Sequence, residues 1–118
     1  MSTRLPGAKY KGVFDRGRSL KGRLLVGWAC ESPGVESAAG VVVSKKTFRH
    51  AVDRNRAKRL TREAFRLLAK DGAMPEETEW VFIARRQIAG KKVADVMAEM
   101  KRIVRAQLEH LDSGARPR

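Results

Sequence analysis

Cysteine is nearly missing: Cys30 is the only one in 118 residues. No internal disulfide can form, and a lone thiol fits a reducing compartment. Histidine is almost as scarce, with His50 and His110 in separate segments. No HxH, HExxH or CxxC spacing occurs, which argues against a zinc site. A two-metal nuclease needs carboxylates converging within about 4 Å. Asp53 and Glu63 stand ten residues apart on one expected helix, roughly 15 Å along its axis. A ribonuclease of the His/His type would need the fold to bring His50 and His110 together. There is no glycine-rich phosphate loop and no dinucleotide fingerprint. No stretch approaches the ~18 apolar residues of a membrane span, and residues 1–6 lack the apolar core of a secretory signal. The expectation is a cytoplasmic chain, away from membranes, with no catalytic group and no metal site of its own.

What is abundant is positive charge. The 26 Lys and Arg outnumber 13 Asp and Glu, for a net +13. So large a charge repels itself and weakens the compact state unless a partner neutralises it. That points to a polyanion, nucleic acid ahead of an anionic membrane surface. The length suits one domain, 1–118, with a real core. Residues 1–7 read as a loose arm and 112–118 as a frayed tail. A short helix is expected over 8–16, ended by Gly17. Strands are expected over 23–30 and 39–45, joined as a hairpin by a turn at Pro33 and Gly34. Leu24, Val26 and Trp28 share one face of the first. Residues 80–85 (WVFIAR) form a third strand, apolar throughout and buried on both faces. Helices follow the apolar periodicity over 50–70 and 92–111. In the latter, Val93, Val96, Met97, Met100, Ile103, Val104, Leu108 and Leu111 form one stripe. The order is α-β-β-α-β-α, an α+β fold (an α/β sandwich) with one small sheet packed against helices.

Residues 45–66, KKTFRHAVDRNRAKRLTREAFR, carry nine basic and two acidic side chains. With Arg54 at zero on a helical wheel, Lys58, Arg62 and Arg66 follow at about 40°, 80° and 120°, with Asn55 and Arg59 at about 100° and 140°. Leu67, Leu60, Ala64, Ala57 and Leu68 occupy about 220° to 320°. Arg56 lies at the far edge of that apolar stripe, and Phe65 lies near Arg54. A solvated basic face is normally laced with Glu or Asp at i,i+4; this one is not. Its self-repulsion makes sense if phosphates complete the site. Arginine supplies planar, bidentate donors suited to phosphate oxygens, and Asn55 adds a donor and an acceptor. Single-stranded RNA is held by stacking on aromatic rings beside such a track. Tyr10, Phe14 and Trp28 are the candidate platforms, with Trp80 and Phe82 left to the core.

These residues resemble the bacterial ribonuclease P protein subunit. VSKK at 43–46 and AVDRNRAKRLTREAFR at 51–66 match its signature, an Arg-Asn-Arg motif (Arg54, Asn55, Arg56) opening a basic helix continued by Lys58, Arg59 and Arg62. KYKGVFDRGRS at 9–19 resembles the family's N-terminal segment, WVFIAR its third strand, and 92–111 its last helix. The chain departs from the pattern at Thr47-Phe48-Arg49-His50, where the family often has a glycine, at Asp53, which puts an acid before the motif, and at Tyr10, where phenylalanine is commoner.

The resemblance implies a small protein bound to a large catalytic RNA, which with magnesium frees the 5′ leader of precursor tRNA. It implies that Arg54, Asn55, Arg56, Lys58, Arg59 and Arg62, with Lys45 and Lys46 at the strand end, bind RNA. Tyr10, Phe14 and Trp28 would line the leader cleft, and magnesium would be held mainly by the RNA. It also implies a left-handed β-α-β crossover, an exception to the usual hand. A ribosomal or other structural RNA-binding protein of the same fold is the alternative. A DNA-binding regulator would need a dimer, and no spare apolar helical face is available to build one.

Overall fold

A computed structural model describes residues 4–112. The 3-10 turn Gly7–Lys9 leads into α1 (Tyr10–Arg16), then β1 (Arg18–Lys21), β2 (Leu25–Glu31), β3 (Ala38–Val42), α2 (Ala51–Lys70), β4 (Thr78–Ala84), a second 3-10 turn Arg86–Ile88, and α3 (Val93–Asp112). The expected helices and strands are present, and one further strand, β1, joins them. Its sequence, RSLK, buries only Leu20, so it carries no apolar alternation to betray it.

The sheet order β1-β2-β4-β3 overturns the expected hairpin. β2 and β3 do not pair. β4 lies between them, antiparallel to β2 and parallel to β3. The reason is burial. β4 is apolar from Trp80 to Ala84 and six of its seven residues are buried, which a central position covered on both faces provides. The Pro33-Gly34 turn does form, with Gly34 at φ 82° and a Val35 N–H to Ser32 O bond of 3.1 Å. It carries the chain past β4 rather than back along β2. The β3-α2-β4 unit is the parallel crossover to which the resemblance assigns the left-handed sense.

Alternation along the strands splits the interior in two. On one face Leu25, Ala29, Ala39, Val41, Trp80, Phe82 and Ala84 join Ala57, Ala64, Phe65 and Leu68 of α2 and Val96, Met100, Ile103 and Val104 of α3. Trp80 stacks on Phe82 with centroids 5.4 Å apart and planes 6° apart. On the other face Val13, Cys30, Ala38 and Val81 are buried with Leu5, and Tyr10, Phe14, Trp28 and Val42 pack around them half-exposed.

Three expectations about burial need correction. Residues 4–7 are not loose throughout: Leu5 is buried, and its N–H bonds Ala39 O at 2.9 Å, beside a parallel bridge from Arg4 to Ala39. Residues 1–3 and 113–118 lie outside the described residues. The buried stripe of α2 is Ala57, Thr61, Ala64, Phe65 and Leu68, so it is rotated toward Phe65 and leaves Leu60 and Leu67 only half-buried. Phe65 reaches the Phe82 ring at 6.3 Å, and the Thr61 hydroxyl is satisfied by Ala57 O at 2.9 Å. In α3, Leu108 is 43% exposed while Glu99 and Gln107 are buried, because both polar groups find partners. Glu99 accepts from Leu24 N–H (2.8 Å), Leu25 N–H (3.4 Å) and Arg102 (2.8 Å), and Gln107 accepts from Arg18 at 3.2 Å.

Candidate nucleic-acid interface

The chain leaves β3 through a tight turn, in which Phe48 N–H and Thr47 N–H both bond Ser44 O and the Ser44 and Thr47 hydroxyls meet at 3.0 Å. This turn holds Lys45 and Lys46 out in solvent. Phe48 packs on the core and anchors it. His50 then serves as the α2 N-cap through its backbone, with no side-chain bond. Asp53 falls in the first turn of α2, where a negative charge meets the positive end of the helix dipole.

The two arginines of the Arg-Asn-Arg motif are both tied down. Arg54 donates from one nitrogen to Phe48 O and Arg49 O, each at 2.9 Å, which locks the lysine-bearing turn onto the helix. Arg56 donates to Lys91 O at 3.3 Å and links α2 to the loop before α3. Each guanidinium has five donors, so each keeps capacity for an anion. The side chains of Asn55, Lys58, Arg59 and Arg62 make no hydrogen bond or ion pair with a described residue. With Arg4, Glu63 and Arg66 they line one open groove. Arg66 is neutralised by Glu63 through two contacts of 2.7 and 3.0 Å. The hydrogen bond from Arg66 lowers the Glu63 pKa from its ordinary value. The unpaired part of the ladder therefore runs from Asn55 to Arg62, roughly 10 Å of helix.

The three candidate aromatics meet under α1. Phe14 and Trp28 are edge-to-face, 5.4 Å between centroids at 87°, a favoured geometry. The Tyr10 hydroxyl accepts from Val41 N–H at 3.2 Å. Its ring lies against Gly40, where any Cβ would collide with it. Trp28 thus faces α1 rather than the two long helices. Rows of the sheet continue this surface. Val26 pairs with Ile83 and Ile83 with Val42, all three half-exposed on the α1 face. Sequence reading missed this row and also missed Arg4. The alternation of Val26 with Trp28 was a usable signal for the first. Nothing local marks Arg4, whose place depends on the bridge to Ala39.

α1 is held down by a buried carboxylate. Glu79, 4% exposed, receives Lys9 Nζ at 3.0 Å and the Ser32 hydroxyl at 2.9 Å. Burial by itself would raise its pKa, but these bonds and the nearby Lys9 and Arg16 charges outweigh that and lower it. His50 stands at the Val42 end of the sheet, before α2, while His110 lines a hollow with Arg16, Arg18 and Cys30 at the opposite end. The fold does not bring the histidines together. Among the described residues no group of three or more His, Cys, Asp or Glu is placed to hold a metal ion, and no helix is long and apolar enough to cross a membrane.

Comparison with known proteins gives one answer. A family model described as Ribonuclease P matches residues 5–108. A ribonuclease P protein component from Clostridium kluyveri is 34% identical over 98 residues, 83% of this chain and 87% of that protein. One from Clostridium botulinum strain Loch Maree is 40% identical over 89 residues, 75% of this chain and 78% of its own length. The structure is similar to that of the RNase P protein from Thermotoga maritima, with a TM-score of 0.74 at 25% identity, over 87% of this chain and 96% of that one. The Staphylococcus aureus RNase P protein shares the fold, with a TM-score of 0.72 at 22% identity, over 91% of this chain and 96% of its own.

Proposed function

Because this chain belongs to the ribonuclease P protein family, we propose that it is the protein subunit of a ribonucleoprotein that removes the 5′ leader from precursor tRNA, in the cytoplasm. In this reading Asn55, Lys58, Arg59 and Arg62, with Lys45 and Lys46, bind phosphates of the catalytic RNA. Arg54 and Arg56 bind phosphate with their remaining donors while fixing the turns beside them. The single-stranded leader lies across Tyr10, Phe14 and Trp28, over the Val26-Ile83-Val42 row.

One observation carries the reading. A ladder of unpaired cations and a half-exposed aromatic surface both border β3: Arg4 bridges to Ala39 and lines the ladder's groove, while the Tyr10 ring covers Gly40. Single strands are held by that pairing of chemistries. Cations track the backbone, and flat rings stack on any base. Phosphate contacts fix position, and stacking on unpaired bases favours a leader over the folded tRNA body.

The bond is broken by the RNA in this account. The separation of His50 from His110 supports assigning no protein group to the chemistry. In this reading the magnesium ions are held mainly by the RNA, in keeping with the lack, among the described residues, of any cluster of three or more His, Cys, Asp or Glu placed to hold a metal ion. The test is cleavage of a precursor tRNA at low magnesium by the cognate RNA, with and without the protein. Cleavage should be faster with it, and the protein freed of RNA should not cleave. The double variant His50→Ala/His110→Ala should turn over like the parent. Equal rates with and without protein, or cleavage by the RNA-free chain, would refute the proposal.

A further inference from the structure

A second cluster of cations lies on the opposite edge of the sheet. β1 and β3 are the two edge strands, with three inter-strand spacings between them, roughly 14 Å. Between β1 and α3 runs a groove lined by Arg18, Lys21, Arg23 and Arg102. Arg85 joins them by donating to Gly22 O at 3.3 Å. The carboxylate in this groove is Glu99, which is 2% exposed and already accepts from Leu24 N–H, Leu25 N–H and Arg102. It neutralises Arg102 and leaves the other four cations uncompensated within the groove.

Edge strands often carry lysine merely to block pairing with another chain. Here Arg23, Arg85 and Arg102 are not on the edge strand, yet the fold gathers them around it from the β1–β2 turn, the end of β4 and α3. Three of the arginines are also pre-positioned. Arg18 is held by Gln107, Arg85 by Gly22 O and Arg102 by Glu99. Each retains unused N–H donors, and a side chain already ordered loses less entropy on binding. The side chains of Lys21 and Arg23 make no hydrogen bond or ion pair with a described residue. The groove's large apolar members, Leu20 and Ile103, are buried, and its exposed apolar residue is the small Ala106, so there is no bulky side chain to insert into a lipid surface.

We propose that this groove is a second binding surface for RNA backbone, which lets the protein bridge two segments of its RNA partner. The proposal rests on the reading that the partner is RNA. It assigns α2 to one segment and the β1–α3 groove to another.

The test uses the full chain in complex with its cognate catalytic RNA. Cys30 is buried, so cysteines introduced as Arg23→Cys and Arg59→Cys can be labelled selectively with a hydroxyl-radical-generating iron chelate. Both probes should cut the RNA, at different segments. In parallel, Lys21→Glu/Arg23→Glu should weaken binding about tenfold and lower the salt slope by about two. Lys21→Ala/Arg23→Ala should do the same more mildly, with the melting temperature unchanged. Cuts from position 59 but none from position 23 would overturn the bridge, even if charge reversal weakened binding, because long-range repulsion alone would explain that. Cuts from both positions in the same segment would overturn it too. If neither probe cuts and neither charge reversal nor Arg59→Glu affects affinity, the RNA-partner reading itself fails.

Discussion

On one face of the sheet Trp80 and Phe82 lie fully buried under two helices of 20 residues each. On the other, Trp28 and Phe14 lie half-exposed beside a single helix of seven residues. Both faces come from alternate residues of the same strands, so composition does not separate them. Cover does. A seven-residue helix is roughly 10 Å long and spans only the half of its face near Glu79. The Val26-Ile83-Val42 row stays open. Rings that would otherwise be core are thereby left with one face for packing and one for a ligand.

The difference is broken most severely from the sealed side. Phe82→Ala should cost about 3–5 kcal/mol, the range for deleting a buried aromatic. Denaturant titration would read the loss, and the preference for leader-bearing over mature tRNA should survive in the fraction that folds.

Each face also holds one buried carboxylate, and both are acid-sensitive in the same sense. Glu79 clamps α1, and Glu99 clamps the β1–β2 turn. Burial pushes the Glu99 pKa up, but the Leu24 N–H, Arg102 and Leu25 N–H bonds more than reverse it and leave it below its ordinary 4.5; Glu79 is lowered likewise. A depressed folded-state pKa means stability that is complete above the unfolded value and lost as pH falls through the folded one. Stability should therefore decline below about pH 4.5. Glu99→Gln and Glu79→Gln should each remove part of that decline and cost about 1–3 kcal/mol at neutral pH. Glu79→Gln alone should also loosen α1, seen as faster amide exchange in residues 10–16. Equal acid profiles for parent and variants would assign the decline to other groups.

Phe14→Ala sharpens the contrast on the open side. It should weaken binding to a precursor with a leader by about 1–3 kcal/mol, the worth of one stacked base, and mature tRNA much less. The lost Trp28 contact should lower stability by only about 1 kcal/mol. Equal losses for both RNAs with a large melting change would make Phe14 packing alone. The smallest effects separate the two parts of the basic helix. Arg54→Ala should cost about 1 kcal/mol of stability, because it ties two carbonyls. Arg59→Ala should leave melting unchanged and reduce the salt slope by about one.

How far these faces can be read from sequence depends on what each residue's fate hangs on. Apolar periodicity exposes where α2, α3, β2 and β4 run, because element type follows from local pattern, while which side chains of α2 and α3 are buried does not. The basic side of α2 is equally visible, since like charges at i,i+4 have no local excuse. β1 is hidden because an edge strand with one buried residue carries no pattern. The strand order is hidden because a turn at Pro33-Gly34 serves a hairpin and a crossover equally well. Phe65 on the wheel falls beside Arg54, and only Phe82 across the interface explains its burial. The tethering of Arg54 and Arg56 is likewise invisible, because both partners are backbone carbonyls, which every sequence supplies.

The two tryptophans give the molecule a pair of built-in optical reporters with opposite sensitivities. Trp80 is shielded, stacked on Phe82, and its indole N–H has no hydrogen-bond partner among the described residues. Its emission should be blue-shifted, inaccessible to iodide, and responsive only to unfolding. Trp28 is half-exposed and in edge-to-face contact with Phe14, so its emission should lie further to the red and be open to iodide. A base stacked on that surface should quench it. Emission recorded at two wavelengths during a titration would thus follow folding and leader occupancy in one cuvette, without a label.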